Sequence, residues 1–353
     1  MNKILFISQK MRMTGGGSVI SDRNFEVLTT LFPNYIITRY YIKKGANNTI
    51  CGIYDRCKKH HVNGVSKLIV SEVISLANEC DFVWVDNSSY GSLCRSLREN
   101  GYKGSIIVFF HNIEYIFQKR LMIKKILYPL FNLPLKNAEK DAALNSDFVF
   151  TLTERDRHII KSWNNKVSIF ILPSSIKDSY KKNDKIDGSS KQIQLLFVGT
   201  KFYANVNGIK WFVENVMPCI DAHLTIVGSG MDKLSFPDND NIEIHGFVHD
   251  LAPYYWSAHC VIAPIFEGSG MKTKTTEALM WGKFIIGTSE AFCGFDITDS
   301  IGMCCNTKDD FITAINNLDI NRPKFNPSSR SLYLNKYSFE QSIKIVSDVL
   351  NHN

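Results

Sequence analysis

The sequence predicts an α/β protein made of two doubly wound, Rossmann-like domains, each built on a parallel sheet. The chain has 353 residues, a length typical of two domains. Short apolar runs rich in β-branched and aromatic residues alternate with longer amphipathic segments in both halves, as expected for parallel strands joined by helices. A polar stretch over 177–192 separates the two series, and we interpret it as a linker.

Each element is expected where an apolar run or a helical periodicity occurs. In the first half, strands are expected at 3–8, 35–42, 82–86, 105–110, 148–152 and 167–172, and helices at 65–79, 89–99, 114–130 and 153–162. After the polar stretch, strands are expected at 193–198, 223–227, 242–247, 260–264 and 284–288, and helices near 206–216, 250–257 and 271–282. The expected domains are 1–176 and 193–337, and a last helix within 338–353 can pack back on the first domain.

The composition excludes several classes of protein. With 44% apolar and 21% charged residues, the chain is neither disordered nor a coiled coil. The N-terminal run MNKILFISQK lacks the length and cleavage site of a signal peptide, so a cytoplasmic protein is expected. The nine cysteines include no Cys-x-x-Cys pair, and no metal site is indicated. We interpret the pair His60-His61 as a solvated loop and the run 238–240 as a polar turn.

Positive charge is concentrated in the first half. Residues 1–172 contain 24 Lys and Arg against 14 Asp and Glu, whereas 173–353 contain 17 against 20. A basic half suits an anionic membrane, an anionic substrate or nucleic acid. The segment 115–136 is either an amphipathic helix on an anionic membrane or a core helix with a basic outer face. Its basic residues are Lys119, Arg120, Lys124 and Lys125, with Lys136 at its end.

The segment 264–288 is the most informative one, and it predicts an anion site. A strand ends at Pro264, the turn Gly268-Ser269-Gly270 follows, and a helix is expected to open at Met271. Backbone N–H groups and the positive end of the helix dipole suit a phosphate or diphosphate there. The alternative is a tight turn with solvated charges.

Three charged side chains support the ligand interpretation. Lys272 and Lys274 fall in the expected first turn, where cations are unfavourable unless an anion lies beside them. Glu277 follows on the same helical face, where its carboxylate can accept hydrogen bonds from ribose hydroxyls.

Two features of the first half point to its own ligand site. Gly15, Gly16 and Gly17 follow the opening strand without the spacing of a dinucleotide fingerprint, so we expect a loop that lets backbone approach a ligand. His111 stands at the carboxyl end of the strand expected at 105–110. A lone histidine is more often structural, but this position favours a site.

Several of these stretches together resemble one family. The run GSGMKTKTTEAL resembles the donor-binding signature of family 4 of the retaining GT-B glycosyltransferases. LLFVGTKFYANVNGIKWFVENVMP resembles the first strand and helix of that donor domain, and FFHNIEY with FVFTLTERDR resembles the acceptor domain. The resemblance implies two domains facing a cleft. It also implies transfer of a sugar from a nucleotide-diphosphate donor to a surface-glycan acceptor, with no further cofactor.

The resemblance also implies roles for particular residues. Gly270 and Met271 would donate backbone hydrogen bonds to the diphosphate, Lys274 would supply a cation, and Glu277 would contact the ribose. His111 would belong to the acceptor domain's part of the catalytic site.

The sequence departs from the family pattern at two places. In the turn Gly199-Thr200-Lys201, Thr200 stands where many relatives have an arginine, and Lys201 is the adjacent cation. Many relatives carry a second glutamate eight residues before Glu277, where this chain has Ser269, with Glu267 two residues earlier.

The segment 245–248 matches the family's nucleobase contact. Its candidates are Phe247 and Val248, and an ordinary strand end is the alternative. For the whole chain, a sugar-nucleotide epimerase of GT-B shape and a non-catalytic binding subunit remain as alternatives.

Overall fold

The computed structural model describes residues 2–9, 16–43, 50–122, 128–182 and 190–351, with side chains outside 16, 50–51 and 119–131. Contacts divide the chain into two units, Met1–Pro173 with Ile343–Asn353 and Ser174–Ser342. Among the described residues, each unit contains a six-stranded parallel sheet flanked by helices. The predicted α/β class with two parallel sheets is confirmed.

The sheet of the first unit has the strand order β2-β1-β3-β4-β5-β6. Its strands are β1 (Lys3–Gln9), β2 (Ile36–Ile42), β3 (Phe82–Val85), β4 (Ser105–Phe110), β5 (Phe148–Thr151) and β6 (Ser168–Ile171). The helices are α1 (Gly16–Leu31), α2 (Ile50–Lys59), α3 (Lys67–Ala77), α4 (Gly91–Glu99), α5 (Glu114–Met122), α6 (Tyr128–Asn145) and α7 (Glu154–Trp163). Central strands such as β4 are buried over most of their length, because helices cover both faces of the sheet. The Trp84 ring stacks on the rings of Phe6 and Phe150, with 6.3 Å and 5.4 Å between the ring centres, respectively.

The sheet of the second unit has the order β12-β11-β10-β7-β8-β9. Its strands are β7 (Ile193–Val198), β8 (Ala222–Val227), β9 (Ile242–His245), β10 (Cys260–Ala263), β11 (Phe284–Gly287) and β12 (Gly302–Cys304). The helices are α8 (Tyr203–Asn215), α9 (Ala252–Ser257), α10 (Thr273–Met280), α11 (Lys308–Asn316), α12 (Pro327–Leu332) and α13 (Phe339–Asn351), the last of which continues into the first unit. Thr307 begins α11 with a capping box, its hydroxyl accepting from the Asp310 amide.

Both sheets reverse their strand order beside their first strand. In the first unit the reversal lies between β1 and β3, and in the second between β7 and β10. Parallel α/β sheets bind ligands outside the carboxyl ends of the strands at such a point. The two reversal points are therefore the expected ligand positions of the two sheets.

The structure corrects several predicted boundaries. The helix expected to open at Met271 begins at Thr273, and β9 ends at His245, so Phe247 lies beyond the strand. Gly16 and Gly17 form the start of α1 rather than a loop, and Gly15 lies outside the described residues. The predicted helix over 114–130 overlaps α5 and the start of α6, with 123–127 outside the description.

Candidate functional site

The site of the second unit forms where two turns meet at the β7/β10 reversal. Gly199 follows β7, and the turn 268–270 follows β10 and leads into α10. Gly268 and Gly270 have φ angles of +133° and +61°, a region that glycine adopts without strain. No side-chain oxygen caps α10, whose N-cap residue is Lys272. The amides of Thr275 and Thr276 donate to the Lys272 carbonyl oxygen, so an external acceptor would bind at the residues before them.

Lys274 is the cation at this helix start. Its Nζ donates to Asn205 Oδ1 at 2.7 Å and lies 4.2 Å from the centre of the Phe197 ring. A Cβ added at Gly199 would lie 2.9 Å from this Nζ, so the absence of a side chain there leaves room for the ammonium group. Burial, together with the charge of Lys272, lowers the pKa of Lys274 to about 7. An anion bound beside it would restore its proton.

Asn205 connects the turn after β7 to helix α10, and it was not predicted from the sequence. Its Oδ1 accepts from Lys274, and its Nδ2 donates to the Thr200 carbonyl oxygen at 2.9 Å. The residue lies in the first turn of α8. An asparagine in such a helix gives no sequence signal of a partner 69 residues away.

Glu277 lies one turn after Lys274 on α10. Burial raises its pKa to about 7, although the Tyr255 hydroxyl and Lys274 favour the charged form. The Tyr255 ring is fully buried and stacks on Trp281, with 5.4 Å between the ring centres. This packing holds Tyr255 in place beside the carboxyl group of Glu277. Lys274 and Glu277 are thus two adjacent groups that both titrate near neutral pH.

Lys272 has a partner within the protein. Its Nζ lies 2.9 Å from Glu290 Oε1 and donates to the Gly270 carbonyl oxygen at 2.9 Å. Its charge is therefore compensated without an external anion, unlike the expectation from its position at the helix start. The hydrogen bond to the Gly270 carbonyl oxygen stabilises the turn that precedes α10.

The remaining candidates of the second unit differ in exposure. Lys201 is exposed, and its backbone N–H donates to the Ser229 carbonyl oxygen at 2.9 Å. Glu267 is also exposed, Ser269 is partly buried, and Met271 is buried, with its sulfur accepting from the Ser174 amide at 3.2 Å.

The segment after β9 presents an aromatic side chain. Phe247 is 69% exposed and lies 5.0 Å from the ring of His249, and Val248 is partly buried. An aromatic ring exposed to this degree on a loop after a strand suits stacking with a planar group.

In the first unit, His111 lies against the loop that follows β3. Its Nε2 is 2.9 Å from the Asp86 carbonyl oxygen and 3.3 Å from Asp86 Oδ2. Asn24 on α1 donates to Asp86 Oδ1 at 2.7 Å, and Trp84 Nε1 donates to the same atom at 3.1 Å. The structure thus places the predicted His111 at the ends of the central strands, held by a buried carboxylate.

Glu139 on α6 is a second buried acid near His111, and it was not predicted. Its Oε1 accepts from Ser88 Oγ and the Glu114 amide, each at 2.8 Å, and its Oε2 accepts from the Tyr115 amide at 3.0 Å. Burial raises the pKa of Glu139, while these hydrogen bonds favour the charged form that accepts them.

The expectation of a solvated loop at His60-His61 is wrong. His60 Nδ1 lies 2.6 Å from Asp141 Oδ2, and Arg95 lies 2.9 Å from the same oxygen. His61 is 8% exposed, and burial lowers its pKa. This ion cluster joins the end of α2 to α4 and α6, a long-range pairing that the local sequence did not reveal.

The basic segment 115–136 is described only in part. Tyr115 packs on Trp163 at 5.9 Å between ring centres, with Lys136 Nζ 5.3 Å from the Tyr115 ring. Lys124 and Lys125 lie outside the described residues, as do the side chains of 119–120. Over the described ranges, no helix combines the length and apolar character that a bilayer span requires.

Solved structures share this architecture over the whole chain. HepE of Anabaena in complex with UDP-glucose has a TM-score of 0.69 and 10% identity, with 99% of this chain and 100% of that chain covered. The lipopolysaccharide outer core galactosyltransferase WaaB has 0.66 and 13%, with 99% of both chains covered. The trehalose-6-phosphate synthase OtsA has 0.61 and 10%, with 99% of both covered. The chain therefore has the GT-B fold.

Sequence comparison gives a family match within the second unit. Residues 192–319 match the family described as Glycosyl transferases group 1, a range that contains Lys274, Glu277 and Asn205. A 44.6 kDa protein from the cps region of Klebsiella pneumoniae is 28% identical over 207 residues. That match covers 51% of this chain and 50% of the relative, so the two correspond over about half of their lengths.

Proposed function

We propose that the chain is a retaining glycosyltransferase that moves a hexosyl group from a nucleotide-diphosphate sugar to an acceptor hydroxyl. The observation that carries the proposal is the position of Lys274, whose ammonium group lies among Asn205, Gly199 and Phe197 at the start of an uncapped helix. A partly buried cation and a helix N-terminus together suit a diphosphate. The family match over 192–319 supports the same assignment.

The donor roles follow from the second unit. The diphosphate would accept hydrogen bonds from the backbone of Gly270 and Met271 and pair with Lys274. Both interactions strengthen as negative charge develops on the leaving diphosphate, which lowers the barrier to its departure.

The other donor contacts are assigned by position. Glu277 would accept the ribose hydroxyls, and Lys201 would provide a second, exposed cation beside Thr200. Phe247 and Val248 would contact the nucleobase, and Glu267 or Ser269 the sugar. The nucleotide sugar is then a co-substrate, and we propose no resident cofactor or metal.

The first unit would hold the acceptor. His111 is buried against Asp86, and its imidazole can exchange a proton with a bound hydroxyl. Gly16 and Gly17 begin α1, where their lack of side chains would let the backbone approach a bound ligand. Holding the hydroxyl in place reduces the entropic part of the barrier.

A bacterial surface glycan is the proposed acceptor. The relative from a cps region supports polysaccharide synthesis, and the structural likeness to WaaB, a lipopolysaccharide enzyme, points the same way. We extend the proposal to a cytoplasmic chain that lies on the anionic inner face of the cell membrane through 115–136. The excess of basic residues in 1–172 supports that contact.

A two-part experiment tests this function. A thermal-shift screen of nucleotide-diphosphate sugars should raise the melting temperature with one donor, because a ligand that binds only the folded state stabilises it. That donor is then incubated with bacterial glycan precursors, and the anomeric configuration of the product is read by NMR. Retention supports the proposal. Conversion of the donor alone to an epimer, or binding without any turnover, would overturn it in favour of an epimerase or a binding subunit.

A further inference from the structure

His111 of the first unit is held by two loops, one after β3 and one after β4. Both loops donate hydrogen bonds to one residue outside them, Glu139. The loop after β3 contains Asp86, whose carbonyl oxygen lies 2.9 Å from His111 Nε2. The loop after β4 contains His111 itself and leads into α5 at Glu114. The distance between His111 and Asp86 is therefore set by how these two loops are fixed to each other.

Glu139 fixes both loops with one carboxylate. Its Oε1 accepts from Ser88, two residues after Asp86, and from the Glu114 amide, three residues after His111. Its Oε2 accepts from the Tyr115 amide. The side chain is fully buried on α6, so water does not compete for these bonds.

We propose that Glu139 is a positioning residue that sets the contact between His111 and Asp86. The role of His111 in transfer rests on the proposed function, whereas the role of Glu139 in holding His111 does not. A carboxylate suits this position because it accepts hydrogen bonds from the first two amides of α5, and both of its oxygens are used. An amide side chain of the same shape cannot replace it, since its NH₂ group would face at least one N–H donor.

The alternative is that Glu139 only anchors helix α5 and contributes to stability. Asp141 provides the matched control, because it is a second buried acid on the same helix. Its partners are His60 and Arg95, which belong to a separate cluster that does not include His111 or Asp86. Loss of either acid should lower the melting temperature, but only loss of Glu139 should change the position of His111 against Asp86.

The experiment compares Glu139→Gln with Asp141→Asn in the full chain. The His111 ring signals are assigned with a His111→Gln variant and followed by NMR, which requires no activity. We expect Glu139→Gln to shift these signals and to lower kcat about tenfold or more at nearly unchanged KM for the donor, which binds the other unit. Asp141→Asn should leave the ring signals and kcat near wild type.

The outcomes separate the two roles. Glu139→Gln with unchanged His111 signals would overturn the inference, whatever its melting temperature. Shifted signals in a protein without transferase activity would support the positioning role and count against the proposed function alone. Where Glu139→Gln fails to fold, Ser88→Ala removes only the link to the Asp86 loop. It should still shift the His111 signals, and unchanged signals in that variant would overturn the inference.

Discussion

Replacing Lys274 with methionine should abolish a proton uptake that accompanies nucleotide binding. The pKa of Lys274 is lowered to about 7 in the unliganded protein, so at pH 8 about one tenth of the molecules carry this proton. A bound diphosphate favours the charged form and returns the pKa toward its usual range. Binding at pH 8 should therefore take up about 0.9 proton through Lys274, and at pH 7 about 0.5.

Isothermal titration calorimetry measures this uptake directly. UDP is titrated in buffers of different ionisation enthalpy, and the dependence of the observed heat on the buffer gives the number of protons. At pH 8 the phosphates of the free nucleotide are already ionised, since the second phosphate pKa is about 6. Glu277 titrates in the same range, so the quantity of interest is the difference between wild type and Lys274→Met.

The same substitution should change activity more than stability. Loss of one charged contact to a developing oxyanion costs roughly 3 kcal/mol, so turnover should fall by about 10²-fold. The melting temperature without ligand should not fall, because methionine avoids the desolvation that burdens the ammonium group. Lys308→Met, at an exposed lysine on α11, serves as the control with normal uptake. An unchanged proton uptake in Lys274→Met would refute the assignment of Lys274 to the diphosphate.

Three further perturbations test other parts of the chain. Glu277→Gln should weaken UDP binding severalfold in calorimetry. Because the pKa of Glu277 is raised to about 7 in the folded protein, the wild type should lose stability as the pH rises from about 4.5 to 7, and melting curves of the variant should lack that loss. Lys272→Ala and Glu290→Gln should each lower the melting temperature, and a double-mutant cycle should give a coupling of roughly 1 kcal/mol, whereas additive effects would mean that the ion pair contributes nothing. The chain should sediment with anionic vesicles at low salt and not at high salt, and membrane attachment through 115–136 is excluded if binding persists after four residues are changed together to serine: Lys119, Arg120, Lys124 and Lys125.

The fold was predictable because parallel sheets leave a local signal. Runs such as 105–110 and 193–198 are almost continuously apolar, since both of their faces are buried, and the structure places β4 and β7 over those residues. Helix α1 was missed because Gly16 and Gly17 are its first two residues, and glycine is a poor helix former. The boundaries of helices and strands were predicted less accurately. Helix α10, for example, begins at Thr273, and no capping side chain marks this start in the sequence.

The site was predictable only where residues follow one another along the chain. Gly270, Lys274 and Glu277 lie in one turn and helix, so their proximity could be inferred from spacing. Asn205 and Glu139 were not found, because each is a polar residue within a helical pattern, and its partner lies on a distant segment. The ion pair of Lys272 was missed for the same reason.

The place where the chain enters and leaves the second unit has an evolutionary consequence. Ile176 and Ser338 form a parallel bridge, and the hydroxyl groups of Ser175 and Ser342 lie 2.6 Å apart, so the two ends of this unit are side by side. Domains whose termini are adjacent are tolerated as insertions into other proteins. Genetic recombination at these two points could therefore exchange residues 174–342 as a cassette. Under the proposed function, such an exchange would replace the donor site while the first unit stays unchanged.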